Sequence, residues 1–252
     1  MMTQLKDKTA LITGANRGIG AGVARAYAAE GAAVAINYPN AASADEAKAL
    51  CEEIASAGGQ AVAVEGDVTE EKAVEAMVAS AIEGLGRIDI VVNNAGIAHA
   101  APIEDIPVDV WDQVFGVHVR GTFLTSKHTL PHMYERGSGR IINTTSQLAY
   151  LGAAGFAHYT AAKGALVTFT RTLALEAASK GVGVNAVAPG ATRTAMLDDV
   201  PEDILEGIRQ SIPLGKLAEI DDIVPSYVFL ASEGARHYVG QVISPNGGDM
   251  FL

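Results

Sequence analysis

A tyrosine and a lysine four positions apart, Tyr159 and Lys163, stand in the segment HYTAAKGAL. On a helix, positions i and i+4 share one face, about 6 Å apart along the axis. An ammonium beside a phenol stabilises the phenolate, so the pair predicts a Tyr159 pKa below the ordinary value of about 10. Each unit of lowering needs ~1.4 kcal/mol of differential stabilisation. Such a phenol can pass a proton to or from an alcohol oxygen near neutral pH. Upstream, Ser146 closes the strand-like run RIINTTS. Its hydroxyl can bind the same oxygen and hold a carbonyl carbon toward a hydride donor. Taken alone, a Tyr-x3-Lys pair is far more often an ordinary surface pair, so its surroundings must decide.

A second cluster handles phosphate. Thr13-Gly14-Ala15-Asn16-Arg17-Gly18-Ile19-Gly20 lies between a strand-like run and a helical stretch. Backbone amides in such a turn face a pyrophosphate at the positive end of the helix. Gly14 permits the tight turn, Gly18 leaves room for phosphate, and Gly20 lets helix and strand approach. The spacing is G-x3-G-x-G rather than G-x-G-x-x-G, and a glycine-rich turn without a ligand has the same look. Asp67 and Val68 follow the third strand-like run, where a carboxylate can accept from an adenine amino group and Val68 can pack on the ring. Asn94, Ala95 and Gly96 follow the fourth, with small residues that admit a backbone closely. Each of these is ordinary turn chemistry by itself. Together they mark the carboxyl ends of strands, where open α/β sheets bind ligands.

The elements that must position these residues are legible as alternation. Short apolar runs at 9–13, 33–37, 61–65, 88–92, 140–143 and 182–187 read as strands. Helical periodicity occupies 18–30, 43–57, 70–85, 110–134 and 157–180. Continuous apolar strands predict a sheet covered on both faces, and the alternation predicts parallel strands with right-handed crossovers. The expected fold class is α/β, a single doubly wound domain spanning 1–252 with no linker. The stretch 192–217, with Pro201, Pro213 and several acids, is the least regular. It reads either as a mobile substrate loop or as an ordinary pair of surface helices.

In order along the chain, TGANRGIG, the Asp67-Val68 pair, NNAG, Ser146 with Tyr159-x3-Lys163, and Pro189-Gly190-Ala191-Thr192-Arg193-Thr194 resemble the short-chain dehydrogenase/reductase family. The match runs from about residue 8 to residue 248. The resemblance implies a Rossmann-type sheet of about seven parallel strands, a nicotinamide cofactor and a homotetramer. It implies Tyr159 as general acid/base, Ser146 as the holder of the substrate oxygen, and Lys163 as a ligand of the ribose hydroxyls that also tunes Tyr159. Asn94 and Ala95 would line the adenosine side. Thr192 and Thr194, after Pro189 and Gly190, would meet the nicotinamide amide or the pyrophosphate. One departure stands out. Where the family has a catalytic Asn in V-N-x-x-G, this chain reads Val117-His118-Val119-Arg120-Gly121. His118 either relays a proton, with an ordinary pKa near 6.5, or is merely tolerated there.

The ribose 2′ position decides between cofactors. A carboxylate ending the second strand would repel a 2′-phosphate. Here that strand ends Ile36-Asn37-Tyr38-Pro39, without an acid, and Arg17 offers a cation. The pairing predicts NADP(H), with NAD(H) as the alternative should Arg17 be only a solvated loop cation. The expected activity is hydride transfer between this cofactor and a ketone or secondary alcohol. A 3-oxoacyl-carrier-protein reductase is the nearest alternative, with Arg136, Arg140 and Lys180 as candidate docking cations. A non-catalytic nucleotide-binding protein on the same fold is the distant one.

Composition bounds the rest. The chain has 252 residues and a net charge of −11, from 29 acids against 18 bases, which argues against nucleic acid and anionic membranes as partners. A single cysteine, Cys51, excludes an internal disulfide framework, and the histidines show no metal spacing. The opening MMTQLKDKTALITG carries no basic segment leading into an apolar one, and no apolar run reaches the ~18 residues of a membrane span. A cytoplasmic protein is expected. The apolar ending around Met250 and Phe251 suggests burial at a subunit contact.

Overall fold

Runs of Val, Ile, Leu and Ala too short for helices form the strands, and both faces of the central ones are buried. A computed structural model describes residues 3–198 and 200–251. Strands β1 (Thr9–Ile12), β2 (Ala33–Tyr38), β3 (Gln60–Glu65), β4 (Ile90–Asn93), β5 (Gly139–Thr144), β6 (Val182–Val187) and β7 (Val242–Ile243) form one sheet in the order β3-β2-β1-β4-β5-β6-β7. All paired neighbours are parallel. The order reverses between β1 and β4, which opens a crevice at their carboxyl ends. The expected seven-stranded doubly wound sheet is present. The two-residue β7 on the edge has no run long enough to register in the sequence.

Helices cover both faces, with α2 (Ala44–Ser56) following β2 and the short α6 (Leu148–Leu151) following β5. Between the sheet and α1 (Gly18–Ala29) and α9 (Ile220–Ala231) lies a core that includes Ile12, Val34, Ile36, Tyr27 and Tyr227. The opposite face packs Leu11, Val91, Ile141 and Val184 against Met77 of α3 (Glu71–Leu85) and Met133 of α5 (Gly121–Arg136). Each fully buried Leu or Ile contributes about 1.5–3 kcal/mol of transfer free energy. These layers make the sheet rigid, so the loops at its carboxyl edge hold their positions.

The long helical stretch expected at 110–134 is three pieces. α4 (Val108–Phe115) runs into a π-turn, Gly116–Arg120, and then into α5. π-turns inside helices are rare and concentrate at functional sites. His118 is the middle residue of this one. The irregular stretch is partly helical, as its reading as surface helices has it. A 3₁₀ turn, Ala195–Leu197, precedes α8 (Glu202–Ser211), whose Ile204, Leu205 and Ile208 share one face. No residue of α8 is fully buried. No helix among the described residues is long and apolar enough to cross a membrane.

Candidate active site

The glycine turn is built by its neighbours. Gly14 has φ +57°, and a Cβ there would meet the Ala95 backbone at 2.9 Å. Thr13 Oγ1 accepts from the backbone N–H groups of Asn94 and Ala95 at 3.0 and 3.1 Å. The Asn94 amide donates back to the carbonyls of Thr13 and Gly14, both at 3.0 Å. The NNAG loop and the glycine turn are therefore one rigid unit. Gly20 sits where a Cβ would be 2.5 Å from Asn94 Nδ2 and 2.6 Å from the Gly14 carbonyl. Gly18 is different. The space beside it is open, with Thr194 the nearest neighbour, 3.9 Å from a notional Cβ. α1 begins immediately after Arg17 without a side-chain cap, so the first-turn amides of Gly18, Ile19 and Gly20 keep their donors free of side-chain acceptors. An open cradle at a positive helix end, with no Cβ in the way, fits a pyrophosphate.

The adenosine side is more mixed. The side chain of Asn37 is buried and spent on the protein. Its Oδ1 accepts from Gly14 N at 3.0 Å, and its Nδ2 donates to the carbonyls of Tyr38, Val64 and Gly66. Asn37 therefore shapes the turn rather than offering an amide to a ligand. Tyr38 lies beside Glu65, and burial is the larger reason that its pKa rises. Asp67 Oδ1 is held by Thr69, at 2.9 Å from N and 2.8 Å from Oγ1, leaving Oδ2 for a ligand. Val68 is buried against Gly121 at the start of α5. Asn16 donates to Glu46 at 2.6 Å, while Arg17 is exposed and has no ion-pair partner among the described residues. Beyond β6, Pro189 and Gly190 make the turn that leads to Thr192. The Thr192 hydroxyl donates to the Gly190 carbonyl at 2.8 Å.

Tyr159 and Lys163 come from the first turns of α7 (Ala157–Ala178), and Ser146 follows the end of β5. Lys163 is 4% exposed, and its Nζ donates to the Thr144 carbonyl at 2.7 Å. The same Nζ lies 5.6 Å from the Tyr159 ring centroid. Ser146 is buried and its Oγ accepts from Leu148 N at 3.1 Å. Ser146, Tyr159 and Lys163 are thus brought to one place.

Electrostatics there differ from the expectation of a lowered Tyr159. Burial pushes Tyr159 above the ordinary tyrosine value, and the neighbouring Ser146 hydroxyl works against that rise. Burial also lowers Lys163 to about 7. Spacing in sequence shows that an ammonium sits beside a phenol. It does not show that both are taken out of water, and desolvation disfavours each charged form.

His118 is 1% exposed and crosses Tyr159 edge to face, with ring centroids 5.4 Å apart. Its pKa is lowered to about 3, first by burial and then by the charge of Lys163. A histidine of ordinary pKa exchanging protons near neutral pH is therefore replaced by a neutral imidazole. A residue that sequence reasoning did not place in the site also appears. Asp249, near the end of the chain, accepts from Gln147 Nε2 at 2.7 Å, directly after Ser146. No spacing or motif in the sequence links Gln147 to residue 249.

The family model described as enoyl-(acyl carrier protein) reductase matches residues 14–249. This chain belongs to the short-chain dehydrogenase/reductase family. It is 38% identical over 242 residues to 3-oxoacyl-[acyl-carrier-protein] reductase FabG of Staphylococcus epidermidis, covering 96% of this chain and 98% of that protein. It is also similar to a dehydrogenase/reductase of Sinorhizobium meliloti 1021, with TM-score 0.92, 38% identity and coverage of 100% of this chain and 99% of that one. A gluconate 5-dehydrogenase of Burkholderia cenocepacia J2315, solved with NADP and tartrate, aligns with TM-score 0.93, 32% identity and coverage of 98% of this chain and 96% of that one. This short-chain dehydrogenase/reductase is an NAD(P)-dependent oxidoreductase acting on C–OH or C=O groups.

Proposed function

We propose that this enzyme is an NADP(H)-dependent reductase of free ketones, acting in reverse as a secondary-alcohol dehydrogenase. The observation that carries the reading is the convergence of Ser146, half-buried Tyr159 and buried Lys163 at the carboxyl edge of the sheet. The Gly18–Gly20 amides would hold the pyrophosphate, Asp67 the adenine, Lys163 the ribose hydroxyls, and Thr192 and Thr194 the nicotinamide end. When bound, the reduced nicotinamide supplies a hydride to the carbonyl carbon. Ser146 then donates a hydrogen bond to the carbonyl oxygen, and Tyr159 gives its proton to that oxygen as the alcohol forms. Lys163 stabilises the phenolate left on Tyr159. Burial keeps Tyr159 protonated near neutral pH, the form that the reduction needs. The acid-free end of β2, the exposed Arg17 and the likeness to the NADP-bound gluconate 5-dehydrogenase support the choice of cofactor.

A second reading is favoured by the FabG relatives: the ketone is a 3-oxoacyl thioester on a carrier protein. Surface charge leans the other way. Arg136 is tied to Ile88 and Asp89, Arg140 pairs with Glu233, and Lys180 covers Tyr134. All three flank the amino-terminal edge of the sheet, away from the site. Near the site, Arg193 pairs with Glu219, Arg209 with Glu202 and Glu206, and Lys216 with Asp222. The test is NADPH consumption with free ketones against 3-oxoacyl thioesters on a carrier protein. Free ketones are expected to be turned over at least as well, and turnover of the carrier-bound substrates alone would overturn the first reading.

We read the protein as cytoplasmic and homotetrameric. Exposed apolar Phe123 on α5 and Leu175 on α7 are surface that subunit contacts would cover. A monomer by light scattering would rule the tetramer out. Phe251, near the chain's end, is exposed apolar surface of the same kind. The preceding Gly247 and Gly248 pack on Ile212 and Pro213 of the same chain.

A further inference from the structure

The ammonium of Lys163 has three hydrogens to give and one acceptor among the described residues, the Thr144 carbonyl at 2.7 Å. The place of that carbonyl therefore sets the place of Nζ. Thr144 is the last residue of β5, level with Val187 of β6, whereas β4 ends level with Asn143. The following N–H, of Thr145, donates to the Val187 carbonyl at 2.7 Å. In a trans peptide the C=O and N–H point opposite ways, so the Thr144 carbonyl faces away from β6, past the end of β4. The next amide on that side, of Asn94, donates to Thr13 Oγ1 instead. No strand holds the carbonyl, and Lys163 takes it.

The Thr144 side chain shares a face of β5 with Ile142, in the core under α1 and α9. Tyr227 of α9 is fully buried in that core, and its hydroxyl lies 2.8 Å from Thr144 Oγ1, with either atom able to donate. Burial raises the Tyr227 pKa above the ordinary tyrosine value, so the phenol keeps its proton. Tyr27 braces the same residue from α1, its hydroxyl donating to the Tyr227 carbonyl at 3.0 Å. Apolar side chains of the same shape at 144 and 227 would fill this space with no polar group to satisfy, a replacement that is often neutral for stability. Packing therefore does not require the two hydroxyls. What they add is a fixed link from α9, on one face of the sheet, to the residue that anchors a lysine of α7, on the other.

We propose that Tyr227 is a positioning residue for the reaction: its bond to Thr144 fixes the carbonyl on which Lys163 rests, and so keeps the ammonium at the Tyr159 phenol. Being fully buried, Tyr227 acts only through Thr144. This inference rests on the role given to Lys163 in the reading above and adds to it a residue from the opposite layer.

The experiment follows oxidation of linear, cyclic and aryl secondary alcohols with NADP⁺, the direction in which Tyr159 must first lose its proton. The pH profile of kcat/KM then reports the ionisation that Lys163 tunes. Tyr227→Phe is expected to move the midpoint of the rising limb up by about half a pH unit or more, because a displaced ammonium stabilises the phenolate less. It is also expected to lower kcat at neutral pH by about threefold or more, with KM for the alcohol little changed. Thr144→Val is expected to do the same. The double variant separates positioning from packing. It leaves no member of the hydroxyl pair unpartnered, so its Tm is expected to return toward the wild-type value while the midpoint stays displaced. Tyr27→Phe, which removes an equally buried hydroxyl but leaves Thr144 held, is expected to lower Tm and leave the midpoint in place. A midpoint that recovers together with Tm in the double variant would overturn the proposal. So would an unchanged midpoint in both single variants, or a midpoint that Tyr27→Phe moves as far as Tyr227→Phe does. Lys163→Met tests the reading underneath: wild-type rate and midpoint in that variant, or no oxidation of any of the alcohols by the wild type, would sink that reading and this proposal with it.

Discussion

His118 Nε2 lies 2.8 Å from the Ile97 carbonyl oxygen and 3.2 Å from the Ile97 amide nitrogen. The shorter contact assigns the proton to Nε2, which donates to the carbonyl, and leaves Nδ1 as a buried acceptor without a partner. The π-turn makes this possible by widening the helix at Gly116–Arg120, and Gly96 leaves the room, since a Cβ there would be 2.5 Å from the imidazole. The ring is thus held neutral, edge to face with Tyr159.

A neutral, buried His118 has a signature in stability. Its folded pKa is about 3 and its unfolded value about 6.5, so the unfolded state binds more protons between those limits. Stability is fully present above pH 6.5 and falls as pH drops toward 3, by about 1.4 kcal/mol per pH unit from this group. His118→Asn is expected to flatten that decline in urea melts taken from pH 6.5 to pH 4 and to leave turnover within an order of magnitude. Abolished turnover with intact cofactor binding would show that the imidazole acts in the reaction itself.

Lys163 titrates in a different window. Its pKa falls from 10.5 to about 7 on folding, so between those values the unfolded chain again holds the extra proton. The cost of burying the ammonium is complete below pH 7 and fades as pH rises toward 10.5. The wild-type Tm minus that of Lys163→Met is therefore expected to increase from pH 7 to pH 10. A difference that stays flat or falls would mean that the lysine is charged in the folded site throughout.

Legibility of the site in the sequence followed the range of the interactions. Ser146, Tyr159 and Lys163 fall within one β–α unit, so their order and spacing, read with the family pattern, brought them together. The glycine turn and NNAG were visible for the same reason, each being a local turn at a strand end. The inward commitment of Asn37 was not, because its partners lie in the glycine turn and around the end of β3. The Gln147–Asp249 bond spans 102 positions and has no periodic signature. The upward shift of Tyr159 was hidden too, since burial depends on the layers packed around a residue rather than on its neighbours in sequence. α8 was obscured by the prolines and acids that flank it.

Cofactor choice falls on Arg17. An exposed guanidinium with no ion-pair partner among the described residues can meet a 2′-phosphate as a charge-assisted pair. Wild type is expected to show a higher kcat/KM with NADPH than with NADH. Arg17→Ala is expected to lower the NADPH value about tenfold or more while changing the NADH value by less than about threefold. A wild-type preference for NADH would refute the assignment, and equal losses with both cofactors would make Arg17 a support of the turn instead.

Proton donation by Tyr159 is the centre of this account, and Tyr159→Phe removes the hydroxyl that carries the proton while keeping the ring. The direct measurement is NADPH oxidation followed at 340 nm with a ketone substrate, alongside NADPH binding by fluorescence. The variant is expected to lose turnover by at least about 10²-fold, in line with the usual contribution of a positioned acid, with Kd for NADPH changed by less than about threefold. Reduction by Tyr159→Phe at the wild-type rate would contradict it.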